Sequence, residues 1–365
     1  RVAPPTPPVP TATSASCVIE HRFHHPRGGS ASGKASKAGG AAARAGPIAT
    51  RQTAATEMAS RGNDAPLVHE GWFREKEVMW HGQAIMLKVK EVLYHEQSDF
   101  QDILVFDSET YGRVMVLDGV IQVTERDEMG YQELISHLPM LSHADPKRVL
   151  VVGGGDGGCV RELCRYAGVE KIVQCEIDPK VVEVARKYFP TTLATKYDVD
   201  PRWELVCEDA AAYAARLADD VKFDVVIIDS SDPVGPAETL FTESFYASMK
   251  RALRPGGILC AQGECQYLHL ELINNTVSVA LAAGFKSVDY AVAHMPTYPS
   301  GQIGFILCGD EHVRSLRQPR PSVSAAFQSQ LRYYNPDLHS SCFVLPAFAE
   351  KVVGACRVMA PDDAA

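Results

Sequence analysis

A cluster of glycines at residues 153–158 constrains the fold of this chain more than any other stretch of the sequence. The apolar, β-branched residues 149–152 before it predict a buried strand, and residues 159–167 after it predict a helix. Glycines at such a junction allow a tight turn and a close approach to a ligand, and the helix start offers free N–H groups. The stretch therefore predicts a ligand-binding α/β unit, although glycine-rich turns also serve packing alone.

Strands and helices continue to alternate after this unit. Strand-like stretches end at Glu176, Asp209 and Asp229, with a helical stretch after each of the first two. Three more strands are predicted between residues 256 and 309. Because this alternation is typical of a parallel, doubly wound sheet, we expect a Rossmann-like α/β fold.

The region before residue 126 has a different pattern. Residues 77–123 are rich in alternating β-branched residues, with turn signals at 107–108 and 118–119. They predict a small antiparallel β unit of about five strands. Residues 131–138 then predict a helix, which Pro139 would end or kink.

Four parts are expected along the chain: a leader at 1–68, an N-terminal β domain at 69–125, a Rossmann-like domain at 126–355 and a tail at 356–365. The leader is expected to be disordered, because its Ala, Ser, Gly, Pro and Thr cannot bury enough apolar surface to offset the ordering entropy. Its basic character suits an organelle transit peptide, and the alternatives are an upstream extension or a fragment. We expect a cytoplasmic protein, or a chloroplast protein if the leader is a transit peptide.

The charge of the chain is unevenly distributed. The formal net charge is −9 and the first 62 residues carry +6, which leaves −15 for the rest. An acidic domain does not suit nucleic acid, whereas it can concentrate cationic ligands in a cleft. No apolar run approaches the roughly 20 residues of a membrane span. Neither a nucleic acid nor a membrane is therefore expected as a partner.

The ten cysteines are scattered along the chain. They form no CxxC pair and no His/Cys cluster with zinc spacing, so we expect no metal site. Cys175, Cys260 and Cys308 lie in predicted strands and are expected to be buried, reduced thiols. Reduced thiols favour a reducing compartment.

Acidic residues stand at the ends of the predicted parallel strands. Ligands of open α/β sheets bind outside the carboxyl ends of strands, so these acids are candidates for a site. Glu176, 20 residues after Asp156, is placed to accept hydrogen bonds from ribose hydroxyls. Asp209 can receive an adenine amino group. A single acid of this kind would more often be a helix cap or a solvated turn.

The glycine turn differs from the GxGxxG of nicotinamide enzymes and resembles the nucleoside-binding loop of S-adenosylmethionine-dependent transferases. It carries an acid, Asp156, between its glycines. This acid would repel the carboxylate of a methyl donor and attract the ammonium group that remains once that carboxylate is removed. Asp156 is therefore expected to select a decarboxylated donor, the alternative being that it only binds the amino group of the donor.

The stretch at 229–238 places two acids, Asp229 and Asp232, before a loop rich in Pro and Gly. Such a loop can close over a site and exclude water. Attack by an amine on a carbon beside a sulfonium requires a neutral amine, so Asp229 is the candidate that takes its proton or orients it. Asp232 would hold the same end of a diamine or its distal ammonium. Tyr131 and Tyr298 are candidates to pack its methylenes, although a lone Tyr is more often a core or rim residue. The alternative is an Asp-Pro turn with a capping role.

Longer motifs make a resemblance explicit. They are GWFRE at 71–75, QDILVFDSETYG at 101–112, VLDGVIQVTERDE at 116–128, GYQE at 130–133, GGGDGG at 153–158, CEID at 175–178, DSSDPVGPAE at 229–238, QGECQYLHL at 262–270 and PTYPSGQIGF at 296–305. In this order they resemble the spermidine synthase family of polyamine aminopropyltransferases, from a plant or alga, over residues 71–353.

The resemblance implies roles for matching residues. Asp229 resembles the catalytic acid that receives the amine proton. The residues that resemble the site of decarboxylated S-adenosylmethionine are Gln101, Gln132, Asp156, Glu176, Asp209 and Ala210. The residues that resemble the putrescine site are Tyr131, Asp229, Asp232 and Tyr298, with Gln262 weaker. Position 210 is usually Gly in the family. The family implies no metal or resident cofactor, and a homodimer or homotetramer.

The sequence leaves two related activities and an inactive paralogue as alternatives. Putrescine N-methyltransferase is similar but tends to lack the glutamines found here at Gln262, Gln266 and Gln302, which favour aminopropyl transfer. Spermine synthase differs in the length of its acceptor pocket, which the sequence discriminates poorly. An inactive nucleoside-binding paralogue would be expected to lose a catalytic acid, whereas Asp229 and Asp232 are both present.

Overall fold

A computed structural model describes residues 67–217, 220–233, 235–320 and 324–364. The predicted leader therefore lies outside the described residues except for Leu67 and Val68. The described residues form two β-sheets, one of six strands and one of seven. Within these ranges, no helix is both long enough and apolar enough to cross a membrane.

The first sheet is an antiparallel meander whose strands pair in sequence order. Its strands are β1 (Val68–His69), β2 (Trp72–Arg74), β3 (Met86–Gln97), β4 (Asp102–Ser108), β5 (Arg113–Leu117) and β6 (Val120–Thr124). The alternation that predicted this sheet places Phe73 and Phe106 on a buried face, with ring centroids 5.3 Å apart. Residues 77–123 contain four strands against about five predicted, and β1 and β2, which lie before this range, bring the sheet to six.

Helix α1 (Glu128–Ser142) connects the two sheets. It begins before residue 131 and continues past Pro139, so of the two effects predicted for Pro139, an end or a kink, the end was wrong. Proline removes one backbone N–H from the helix. Most of the helix is buried, and this packing outweighs the missing bond. The next turn is intact, since the N–H of His143 donates to the Pro139 carbonyl over 3.1 Å.

The second sheet has the order β12-β13-β11-β10-β7-β8-β9. Its strands are β7 (Arg148–Gly153), β8 (Lys171–Cys175), β9 (Trp203–Val206), β10 (Phe223–Asp229), β11 (Leu253–Gln262), β12 (Ser287–His294) and β13 (Gln302–Gly309). The expected Rossmann-like class is confirmed, but the sheet is not fully parallel, because β13 runs antiparallel to both its neighbours. Only residues 295–301 separate β12 from β13, too few for the crossover that a parallel pair needs.

Helices connect and cover the second sheet. They are α2 (Gly158–Leu163), α3 (Pro179–Tyr188), α4 (Ala210–Arg216), α5 (Glu243–Ala252) and α6 (Leu270–Ala282), followed by the short α7 (Ala325–Gln328), α8 (Pro336–Ser341), α9 (Ala347–Glu350) and α10 (Val353–Cys356). Helix α2 ends earlier than predicted. The Arg202 guanidinium donates to the carbonyls of Cys164, Tyr166 and Val169, which satisfies the groups freed at that end.

The C-terminal residues also pack on the second sheet, since Val358 forms a bridge with Val288. Cys175, Cys260 and Cys308 are buried free thiols in strands, as expected. The topology brings the carboxyl ends of β7, β8, β9 and β10 to one edge of the sheet. Helix α1 and the first sheet lie beside this edge, where the candidate site forms.

A buried ionic cluster beneath this edge gives a test of the fold. Glu162 is fully buried and accepts from His137 Nε2 at 3.1 Å, Arg161 Nε at 2.7 Å and Arg165 Nε at 2.6 Å. We expect Glu162→Gln to lower the free energy of unfolding by about 2 kcal/mol, because buried cationic donors lose their charged acceptor. Urea unfolding measures this change. Glu183→Gln, at an exposed pair with Lys180, should leave the unfolding midpoint unchanged.

Candidate active site

Two adjacent cavities lie at the carboxyl edge of the second sheet, and they share Gln122, Ser230, Ser231 and Tyr298 as lining residues. The larger cavity has a volume of about 160 Å³ and the smaller one of about 30 Å³. Of the residues predicted to form the site, those lining the larger cavity are Gln101, Tyr131, Gln132, Asp156, Glu176, Asp209, Ala210, Asp229 and Tyr298. Those lining the smaller cavity are Asp232, Gln262 and Tyr298. The structure thus brings together every residue that the sequence predicted for the site.

The glycine turn packs against the end of β10. Gly153 and Gly154 have φ angles of +78° and +65°, which favour glycine. A Cβ atom on Gly153 would lie 2.2 Å from the Asp229 carbonyl oxygen, and one on Gly158 would lie 2.3 Å from the Gln132 side chain. The glycines therefore serve packing, as the alternative interpretation held, and that packing is against residues of the site itself.

Asp156 is a partly buried acid that lines the larger cavity. Its Oδ1 accepts from the Gly158 N–H at 2.6 Å, and its Oδ2 accepts from Gln132 Nε2 at 2.9 Å. Burial, with the nearby charge of Asp229, raises the pKa of Asp156 to about 8. Among the described residues, no Lys or Arg side chain lies within ion-pair distance of it. A partly buried acid without a cationic partner favours a cationic ligand.

Asp229 ends β10 between two neutral hydrogen-bond donors. The Tyr131 hydroxyl donates to Oδ1 at 2.7 Å, and the Cys159 thiol donates to Oδ2 at 3.2 Å. Burial raises the pKa of Asp229, and these two bonds oppose that rise. Tyr131 also stacks on Tyr298, with ring centroids 5.9 Å apart. The carboxylate is thereby oriented beside an aromatic wall, as a proton acceptor requires.

Glu176 and Gln101 are linked through Asp178. Glu176 Oε1 accepts from the Asp178 N–H at 2.9 Å, and burial raises the pKa of Glu176 to about 7. Gln101 Nε2 donates to Asp178 Oδ2 at 2.9 Å, while Asp178 Oδ1 caps α3 through the Lys180 N–H. Gln101 thus joins the first sheet to the strand end that carries Glu176.

Asp209 and Ala210 form the start of α4. Asp209 Oδ1 accepts from the Ala212 N–H at 2.8 Å, which is the helix-cap role weighed against a binding role. The residue nevertheless lines the larger cavity beside Ala210. Capping therefore occupies one carboxylate oxygen of a residue that still borders the site.

The smaller cavity is also acidic. Burial and the nearby Glu264 raise the pKa of Asp232 to about 8. Gln262 Nε2 lies 3.4 Å from Asp232 Oδ1 and 3.3 Å from Glu264 Oε1, so the amide bridges the two acids. Gln266 Nε2 donates to Gln302 Oε1 at 2.9 Å, which ties the neighbouring loop to β13.

The residues of the smaller cavity that were not predicted from the sequence include Glu75, Trp80, Glu264 and His269. Burial raises the pKa of Glu75 to about 7, and its Oε2, like Trp80 Nε1, has no hydrogen-bond partner among the described residues. Buried polar atoms without partners point to a ligand. Glu75 lies in the GWFRE motif and Glu264 in the QGECQYLHL motif, which was the signal available.

Three potential metal ligands come together within the described ranges at Asp310, Glu311 and His312. None of the three lines either cavity, and Glu311 and His312 are exposed.

Comparison with known proteins agrees with this geometry. Residues 128–317 match the spermine/spermidine synthase domain, and residues 71–125 match the spermidine synthase tetramerisation domain. Spermidine synthase 2 of Arabidopsis thaliana is 49% identical over 289 residues, covering 78% of this chain and 84% of that protein. Spermine synthase of the same plant is 47% identical, covering 76% of this chain and 78% of that protein.

Solved structures give the same result. A crystal structure of spermidine synthase in complex with the transition state analogue AdoDATO superposes with a TM-score of 0.73 at 35% identity, covering 78% of this chain and 95% of that one. Spermidine synthase from Thermotoga maritima superposes with a TM-score of 0.72, also at 35% identity, covering 78% and 94%. The fold, the acidic double cavity and these matches together show that the chain belongs to the spermine/spermidine synthase family.

Proposed function

We propose that this chain is a spermidine synthase, which transfers the aminopropyl group of decarboxylated S-adenosylmethionine to putrescine and yields spermidine and methylthioadenosine. The observation that carries the proposal is Asp156, a partly buried acid without a cationic partner in the glycine turn. An ammonium group satisfies it, whereas the carboxylate of the undecarboxylated nucleoside would meet a like charge.

The nucleoside occupies the larger cavity. Glu176, at the end of β8, accepts from the ribose hydroxyls, and Asp209 and Ala210 border the adenine. Asp156 and Gln132 face the amino end of the propyl chain. The sulfonium carbon then comes to lie near Asp229, whose negative charge stabilises the positive centre.

Asp229 acts on the amine that attacks. A protonated amine has no free electron pair, so the carboxylate accepts its proton or orients the neutral form. The new C–N bond forms as the C–S bond breaks, and both electrons of the C–S bond go to sulfur. Methylthioadenosine leaves as a neutral thioether, and the released proton passes through Asp229 to solvent. We propose that no resident cofactor or metal takes part, because the displacement involves no net oxidation and the leaving group is already activated as a sulfonium.

Putrescine lies across the boundary of the two cavities. Tyr131 and Tyr298 stack beside its methylenes, and its reacting nitrogen faces Asp229. Its distal ammonium enters the smaller cavity, where Asp232 and Glu264 are joined through Gln262. Two cations thus bind to a site walled by carboxylates.

The test is to identify the product by mass after incubating the full chain with putrescine and each nucleoside in turn. Spermidine from the decarboxylated nucleoside is the expected result. Methylated putrescine from S-adenosylmethionine would replace the proposal with an N-methyltransferase. Faster conversion of spermidine to spermine would replace it with a spermine synthase, the activity named for the relative that is 47% identical.

The affinity for decarboxylated S-adenosylmethionine should rise between pH 6 and 9. In the empty site the pKa of Asp156 is about 8 and that of Glu176 about 7, so both acids are partly protonated near neutrality. A cation favours the ionised forms, so binding releases protons and strengthens with pH, while an alkylamine stays charged up to about pH 10. Calorimetry in buffers of different ionisation enthalpy measures the number of protons released on binding. If Asp156→Asn released as many protons as the unsubstituted chain, Asp156 would not be a source of them.

The chain is also proposed to assemble as a homodimer or homotetramer. The matched tetramerisation domain covers the first sheet, on which Trp72 and Met86 are 42% and 50% exposed. Large apolar side chains on a sheet face favour burial against another copy. Light scattering on the purified full chain measures the mass.

A further inference from the structure

His269 stands between two hydrogen-bond acceptors. It is the residue immediately before α6, and its side chain is 9% exposed. Nδ1 lies 3.1 Å from Glu264 Oε2, and Nε2 lies 3.2 Å from the carbonyl oxygen of Met79. A carbonyl has no proton to donate, so Nε2 must be the donor in its contact with Met79. Among the described residues Nδ1 has no hydrogen-bond partner, but it lies within ion-pair distance of the Glu264 carboxylate. A proton on Nδ1 as well makes the ring an imidazolium, which pairs with that carboxylate.

We propose that His269 is a resident imidazolium that positions Glu264 and the Met79–Trp80 segment for the distal ammonium of the acceptor. The inference rests on the proposed function and assigns a positioning residue to its acceptor cavity. His269 contacts the catalytic domain on one side through Glu264 and the segment that follows β2 on the other through Met79. It therefore joins two walls of the smaller cavity.

The charges around His269 support this assignment. Asp232, Glu264 and Glu75 face the smaller cavity from three separate segments, and no Lys or Arg lines it among the described residues. Burial alone would lower the pKa of His269, but Glu264, the Met79 carbonyl and Asp232 reverse this, and its pKa is raised. A cation at a helix N-terminus is unfavourable, so these carboxylates also offset the helix dipole.

The orientation of the Glu264 side chain depends on the ion pair with His269. Its backbone has a φ of +61°, a region that non-glycine residues seldom adopt, and its side chain is buried. With Oε2 paired to His269, Oε1 is left on the side of Gln262, 3.3 Å from its amide nitrogen. The imidazolium thus decides which oxygen of Glu264 faces the acceptor.

Kinetics separate this role from general damage to the fold. His269→Gln should raise the KM for putrescine about tenfold, with a smaller change in kcat, because misplacing a binding group weakens acceptor binding first. The KM for decarboxylated S-adenosylmethionine should not change. His269→Lys keeps a cation beside Glu264 and should retain more of the acceptor affinity than His269→Leu. A matched control is His312→Gln, which changes an exposed His–Asp pair at Asp310 and should leave both KM values unaltered.

Nitrogen NMR of the ring in the unsubstituted full chain tests the charge directly. The His269 signals are identified by their contacts with Met79 and Glu264, so no variant has to fold. Two protonated nitrogens at pH 7.5 are expected, and a neutral ring would overturn the proposal, as would an unchanged putrescine KM in His269→Gln. This measurement uses no substrate. Failure of the wild-type chain to make spermidine would therefore overturn the proposed function and leave the charge of His269 separately decided.

Discussion

Asp229→Asn is expected to lower kcat by between about a hundredfold and ten-thousandfold, the range contributed by positioned acids and bases. The amide has nearly the same shape, so Tyr131 can still donate to the remaining oxygen. What is lost is the proton acceptor and the negative charge beside the sulfonium. Affinity for decarboxylated S-adenosylmethionine should fall much less than turnover, since Asp156 and Glu176 remain.

Steady-state kinetics and equilibrium binding on the same preparation measure the two effects separately. Glu204→Gln makes the same chemical change at an exposed acid of β9 that is paired with Lys171, and it should leave both quantities unaltered. If Asp229→Asn retained wild-type turnover, the amine would have to lose its proton elsewhere. The role assigned to the end of β10 would then be withdrawn.

Local chemistry explains how much of the fold could be predicted. The β-branched run before the glycines specified β7, and Asp178 followed by Pro179 shows a capped helix start of the kind that sequence reveals. Strand-end acids could be placed together because parallel strands share one carboxyl edge. The strand-end acids of the two cavities therefore followed from order along the chain, whereas Gln101, Gln132, Ala210 and Gln262 were named only from the resemblance to the spermidine synthase family.

The rest depends on contacts that sequence order does not encode. The direction of β13 is set by a short return from β12, and α1 passes through Pro139 because it is packed on most sides. Glu75 and Trp80 reach the smaller cavity only because the first sheet folds beside the second. Propensity describes a residue's neighbours along the chain, and these outcomes are decided by neighbours in space.

Replacing Asp156 by Asn should reduce the affinity for decarboxylated S-adenosylmethionine by about a hundredfold, because the ligand's buried ammonium would lose its charged partner. The variant should fold normally. The oxygen of the introduced amide can still accept from the Gly158 N–H. Its nitrogen would face Gln132 Nε2, so the Gln132 side-chain amide turns over and Oε1, which has no partner in the wild-type chain among the described residues, becomes the acceptor. The variant therefore loses the negative charge of residue 156 but keeps its hydrogen bonds.

Two ligands isolate that charge. Methylthioadenosine has no ammonium group, so its affinity for Asp156→Asn should equal its affinity for the unsubstituted chain. S-adenosylmethionine carries a carboxylate that no longer meets a negative residue, so its affinity should hold or rise, and the preference for the decarboxylated form should shrink. Calorimetric titration of the three nucleosides measures all of this. An undiminished preference in the variant would mean that Asp156 does not select the donor, and the selection would have to come from the shape of the cavity instead.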